Sequence, residues 1–154
     1  MLLKLGEITV ECTSMAAWRR KLIALFPELR LAASAPDFTP YTAFFELLPL
    51  CRVAHEHRNE NQLKSIYAYS EWCFNQKSQD LWNSSGVCFY EHLFDMPESM
   101  WPEIVEWLSP NVVASCRGLW EARLDAEDML LVERLIEICK NPKYAGLHEH
   151  LRTT

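Results

Sequence analysis

Asn61-Gln62-Leu63-Lys64-Ser65-Ile66-Tyr67-Ala68-Tyr69-Ser70-Glu71-Trp72-Cys73-Phe74-Asn75, then Gln79-Asp80-Leu81-Trp82-Asn83-Ser84-Ser85-Gly86-Val87-Cys88-Phe89-Tyr90-Glu91-His92-Leu93, are the two stretches that decide the fold. In the first, Leu63, Ile66, Tyr67, Ser70, Cys73 and Phe74 recur at three- and four-residue spacing, which gathers them into one stripe of an α-helix. In the second, Leu81, Ser85, Cys88, Phe89 and His92 do the same, with Ser78 as expected cap and Asp80 well placed in the first turn. The short link between them forces an antiparallel helical hairpin.

The same period extends in both directions. Upstream, Trp18, Leu22, Leu25 and Phe26 predict a helix from Thr13, capped by Ser14 and closed by Pro27. Residues 27–38 read as a loop. Thr39-Pro40 is a helix start, followed by Tyr41, Phe44, Phe45, Leu48, Cys51 and Ala54 on a broad apolar face. Pro49 lacks the N–H that would bond the Phe45 carbonyl, so a break into 40–48 and 50–58 is expected. Downstream, Trp101, Ile104, Val105 and Leu108 mark a short inward-facing helix, and Ser109-Pro110 opens another through about Ala122. Met129, Val132, Leu135, Ile136 and Cys139 mark a last helix over 126–140, stopped by Asn141-Pro142.

The expected architecture is one all-α domain over 1–154, with six to seven helices. They would form antiparallel hairpins in an orthogonal array or a short repeat-like stack. Residues 1–12 are expected to be an arm or short strand, and 143–154 a loosely held tail. The composition agrees: 154 residues with 49% hydrophobic and 12% aromatic content suit a folded domain, while four glycines are too few for a turn-rich β fold.

Charge and cysteine usage exclude function classes. With 15 basic and 21 acidic side chains the formal charge is −6, which disfavours nucleic acid and suits a basic protein partner. The run Arg19-Arg20-Lys21 reads as a solvated helix face. No apolar run reaches the roughly 18 residues of a membrane span. The opening residues are too short for a secretory signal and are interrupted by Glu7 and Glu11, so a cytoplasmic protein is expected. Cys12, Cys51, Cys73, Cys88, Cys116 and Cys139 show no Cys-x-x-Cys pair. They read as reduced, buried and inert.

Catalytic and cofactor motifs are absent, so no catalytic residue, metal or cofactor is expected. His-Glu-His occurs at 55–57 and 148–150, but ligands two apart on a helix diverge by roughly 200°. These histidines read as surface groups near helix ends. Cys88 and His92, four apart, would share a face turned to the core rather than form an activated pair. Glu133 and Glu137, also four apart, oppose each other mildly. Trp18, Trp101, Trp107 and Trp120 are expected between helices. Trp72 and Trp82 flank the hairpin turn off the strict apolar stripe, where a tryptophan serves as an interface anchor.

Tyr69, Trp72, Cys73, Asp80, Leu81, Asn83, Phe89, Tyr90, Glu91, His92 and Leu93 together resemble the signature of an uncharacterised family of small bacterial all-helical proteins. That signature reads Tyr-x-x-Trp-Cys, Asp-Leu-x-Asn, Phe-Tyr-Glu-His-Leu, and the likeness covers roughly 62–95. The sequence departs from it at Ser84-Ser85-Gly86. The resemblance implies a free-standing cytoplasmic protein, in some members associated with toxin–immunity loci. Glu91 and His92 would form a polar network with Tyr69 or Tyr90. The expected function is thus a non-catalytic interaction module of immunity type, with Trp72, Trp82, Glu91 and His92 as partner contacts. Its partner would be a protein, basic in character, with self-association left open. The alternative is a small-molecule- or metal-dependent enzyme near Glu91, His92 and Cys88.

Overall fold

Buried apolar periodicity fixes the helices, and capping chemistry fixes their ends. The computed structural model describes residues 15–147; the expectations for residues 1–12, Thr13, Ser14 and 148–154 lie outside this range. Among the described residues there are eight α-helices and no strand. They are α1 (Ala17–Leu25), α2 (Arg30–Ala33), α3 (Pro40–Glu56), α4 (Glu60–Phe74), α5 (Gln79–Cys88), α6 (Trp101–Glu106), α7 (Pro110–Arg123) and α8 (Ala126–Ile138).

Helix α4 is the centre. Leu63, Ile66, Tyr67, Ala68, Tyr69, Ser70 and Cys73 are all fully buried, so the helix carries apolar contacts on nearly every side rather than on one stripe. Helices α3 and α5 pack on it and on each other, and α1 closes a further side. The departure Ser84-Ser85-Gly86 makes this possible. All three are buried, and Ser85 Oγ donates to the Ser70 carbonyl at 2.7 Å, so small side chains let α5 approach α4 closely. Caps appear where expected at Thr39 and Ser109, whose side chains accept from the Thr42 and Val112 backbone N–H groups, and Asp125 adds one that accepts from Asp128. Ser78, by contrast, makes no side-chain cap bond.

Five expectations are corrected. The 27–38 loop is largely helical, as a 3-10 turn over Pro27–Leu29 running into α2. Arg19 holds it: its guanidinium donates to the carbonyls of Ala33, Ala35 and Phe38, so the basic run is not merely a solvated face. Pro49 does not break α3, which is continuous from Pro40 to Glu56. Pro49 lies on the solvent side while Leu47 and Cys51 on either side of it are fully buried, so packing outweighs the lost bond. Helix α5 stops at Cys88, five residues early, and the chain continues as a 3-10 turn over Tyr90–Asp95. A continuous helix would point adjacent Phe89 and Tyr90 about 100° apart, whereas the turn buries both. Lastly, 143–147 is anchored: the Lys143 N–H donates to the Glu106 carbonyl at 2.6 Å and Leu147 is buried.

Replacing Pro49 with Ala restores the missing donor without touching the core. We expect stabilisation of up to about 3 kcal/mol, read as a higher urea midpoint at unchanged slope. A lower midpoint would show that the ring itself contributes packing.

Candidate functional site

Two polar clusters and one apolar face stand out. The first cluster sits on the turn that ends α5. His92 Nδ1 lies 2.9 Å from Asp95 Oδ2, and Arg123 of α7 donates through Nε to Asp95 Oδ1 at 3.3 Å and through a second nitrogen to Oδ2. Glu91 Oε1 is 3.8 Å from Arg123. Burial alone would raise the Asp95 carboxyl, but its bonds from His92 and Arg123 hold it below the ordinary value. Glu91 and His92 are thus brought together, though through Asp95 and Arg123, not Tyr69 or Tyr90. The hydroxyl of Tyr69 donates to the Trp18 carbonyl at 3.3 Å, and the Tyr90 carbonyl accepts from the Trp120 indole at 2.8 Å.

Beside this cluster runs the outward face of α3. Phe45 is 65% exposed and Val53 46%, with exposed Pro49 midway, so three apolar residues four apart form a solvent-facing row. A pocket of about 300 Å3 lies along it, lined by Leu48, Pro49, Arg52, His92, Asp95 and Met96. Phe45 was expected in the core with Phe44. The fold buries Phe44 and turns Phe45 out, because neighbours on a helix differ by about 100°.

The tryptophans separate. Trp82 is 41% exposed on α5. Trp72 is half-buried, with the Lys21 ammonium 5.1 Å above its ring, and therefore joins α1 to α4. Among the described residues no ring contact links the two. Trp101, Trp107 and Trp120 are buried between helices as expected.

The second cluster was not anticipated. His55, expected at the surface, is only 3% exposed. Its Nε2 is 2.9 Å from the Tyr67 hydroxyl and its Nδ1 is 3.6 Å from Glu103 Oε1 of α6. Protonation on Nδ1 suits both neighbours, since the hydroxyl can then donate to Nε2. Glu103 opens onto a polar pocket of about 470 Å3 lined by Arg58, Glu60, Ser99, Pro102, Glu103, Glu106 and Lys143. Arg58 is the left-handed residue (φ 50°) of the turn closing α3, where the Asn59 N–H reaches the Ala54 carbonyl at 2.8 Å. The signal for His55 was present in the 3.6 period, four residues after Cys51, but its partner Glu103 is far away in sequence.

Nucleophilic chemistry finds little footing. Burial pushes the thiols of Cys51, Cys73 and Cys116 up to about 12, far above the range in which a thiolate attacks. Cys88 is raised too, by burial and then by Glu91, and His92 is engaged by Asp95. Among the described residues no group of three or more His, Cys, Asp or Glu is arranged to hold a metal ion. Glu133, for its part, pairs with Arg117 across α7 and α8, which offsets its repulsion from Glu137.

These observations define an all-helical protein with silenced thiols, an exposed apolar helix face and ion-paired rims. The chain belongs to the family described as a domain of unknown function (DUF7674), whose model matches residues 19–122. That span runs from α1 through nearly all of α7, and leaves α8 and Lys143 beyond it. No curated protein and no solved structure matches the chain.

The His55 environment carries a pH dependence. Burial lowers the proton affinity of the ring, Glu103 opposes that, and Lys143 reinforces it; the net direction is down. The native state therefore favours the neutral ring. Its contribution is intact above the unfolded value of about 6.5 and is lost as pH falls through the lower native one. Wild type should lose stability relative to a His55→Gln variant as pH drops from about 7 to about 5, measured as the gap between their urea midpoints. A gap that stays constant would refute this.

Proposed function

We propose that this protein is a non-catalytic, cytoplasmic interaction module of immunity type, which binds and neutralises a basic partner protein. The observation that carries the reading is the row Phe45, Pro49 and Val53 on the outward side of α3, alongside the Leu48–Met96 pocket. Large rings and branched side chains exposed beside a concave, mainly apolar surface are what a partner's anchoring residue buries against.

The rim fits the same purpose. Arg52, His92 and Asp95 line the pocket with charges already paired, Arg52 with Glu56 and Asp95 with His92 and Arg123, which gives orientation without a large desolvation cost. The formal charge of −6 favours encounter with a basic surface. Trp82, exposed on the neighbouring helix, would extend the contact; Trp72 is tied inward and would contribute little. Glu91 and His92 act here as rim residues. The enzyme alternative at Glu91 and His92 draws less support, because both side chains are held by Asp95 and Arg123 and the nearest thiol is pushed up, not activated.

The test is affinity capture from the native host with tagged wild type and a Phe45→Asp variant shown by circular dichroism to be folded. Wild type should recover one basic protein in equimolar amount. The variant should lose it by about tenfold or more, as expected at the centre of an interface. Recovery of no protein, of an acidic one, or of the same protein equally by both forms would overturn the proposal.

A further inference from the structure

We propose that residues 126–147, helix α8 and the segment after it, form a hinged strap with Lys143 as its clasp. The strap lifts off α6 and α7 as a unit while the helices from α1 to α7 stay folded. The inference is independent of the interaction reading above. It concerns a part of the chain past the family match, which ends at residue 122 in the last turn of α7.

The strap is held by little buried surface. Of the 13 residues of α8 only Met129 and Val132 are buried, while Leu130 and Ile138 are 48% and 65% exposed. Clefts flank the helix on both sides. One of about 430 Å3 lies between Ile136 and Cys139 of the strap and Val105, Leu108 and Val113 opposite. Another, of about 270 Å3, lies between Leu135 and Ile138 on one wall and Pro102 on the other. A third, of about 120 Å3, has Met129 on one side and Trp120 on the other. Side chains that border unfilled space forgo part of the dispersion attraction of a packed interior. The attachment of α8 is therefore weak for its length.

The hinge needs no helix to break. Leu124 and Asp125 are the two residues between α7 and α8, and both are extended (φ −93°, ψ 149° and φ −70°, ψ 171°). The last bond of α7 runs from the Leu124 N–H to the Trp120 carbonyl at 2.8 Å, so rotation beyond it swings α8 and leaves α7 intact.

The far end carries the fastening. Lys143 Nζ lies 3.5 Å from Glu60 Oε1 of α4, 3.5 Å from Glu106 Oε2 of α6 and 5.3 Å from the ring centre of Trp107. The Lys143 N–H donates to the Glu106 carbonyl, and Leu147 is buried just beyond. Midway, Arg117 of α7 pairs with Glu133 of α8. All these charged side chains are partly exposed, so each bridge is weak and screened by salt. Closed, the strap sits over α6 and α7, where Val105 and Leu108 are only 5% and 4% exposed. Lifting it wets that apolar face, which keeps the closed form dominant. A long shallow contact with a two-residue hinge at one end and breakable ion pairs at the other opens well before the core does.

Native-state hydrogen exchange of the full-length chain in low urea, read amide by amide, tests this. A 13-residue helix freed of its packing is marginal in water, so a lifted α8 exchanges. The amides of residues 132–136 should exchange together, at least about a hundredfold faster than those of residues 66–69 in α4. Lys143→Gln should speed residues 132–136 by about fivefold, through loss of two weak bridges and a cation–π contact. The decisive variant is Phe44→Leu, which loosens the core where that ring meets Tyr69 and Phe89. It weakens the closed and the strap-open protein alike, so it should speed α4 exchange by about tenfold and leave residues 132–136 unchanged. Ile66→Val, a milder loss in the same core, gives the same comparison should Phe44→Leu not fold. Equal acceleration of both helices, or exchange of residues 132–136 at the α4 rate in wild type, would show that α8 opens only with the whole molecule and overturn the strap. Rates that fall off residue by residue from Ile138 inwards would show fraying and overturn it too. A Lys143→Gln rate within about twofold of wild type would overturn the clasp.

Discussion

Burial of Tyr67 is the constraint on which the rest of the structure depends. Its ring stacks on Trp107 at 5.3 Å and 4°, and meets the edge of Phe89 at 5.6 Å. A tyrosine with no exposure must also satisfy its hydroxyl, because an unmade hydrogen bond there costs several times what a made one returns. That requirement draws in His55 from α3 and the Cys51 thiol one turn earlier. It places α6 so that Trp107 can stack, and it requires the turn after α5 so that Phe89 can reach the other side. Three elements are therefore located against α4 by one side chain. The price of this packing is that Tyr67, Tyr69 and Tyr90 are all pushed far from ionisation by burial, so the core holds hydroxyls without acid–base reactivity.

Much of the fold was legible because local chemistry and global packing agree. Thr39-Pro40 and Ser109-Pro110 carry their own cap signals, and α4 shows a stripe wide enough to be unmistakable. Elements failed where a tertiary contact overrode local preference. Pro49 argued for a break, but the buried residues on both sides hold α3 straight through it. The helical pattern at 89–93 was real in spacing, yet two adjacent rings needed the core at once. The small residues at 84–86 looked like a gap in the packing and are instead buried, with Ser85 bonded to the α4 backbone.

The candidate site was legible only in part. Glu91 and His92 share a polar cluster, but not with Tyr69 or Tyr90: the groups that join them, Asp95 and Arg123, come from the turn and from α7. The apolar row on α3 was hidden because Phe45 reads as core beside Phe44, and only the three-dimensional neighbours decide which of two adjacent rings faces water. The His55–Glu103 approach spans two helices far apart in sequence and has no local signature at all.

The free thiols have a consequence for how the chain survives outside its native state. Cys51, Cys73, Cys88 and Cys116 are buried and Cys139 half-buried, and all five are unpaired. Folded, Cys51, Cys73, Cys88 and Cys116 are shielded from oxidants by their burial. Opened together, they would titrate nearer the ordinary thiol range and become open to crosslinking. Under oxidising conditions such crosslinks would trap the opened chain, so recovery from denaturation would depend on reducing surroundings.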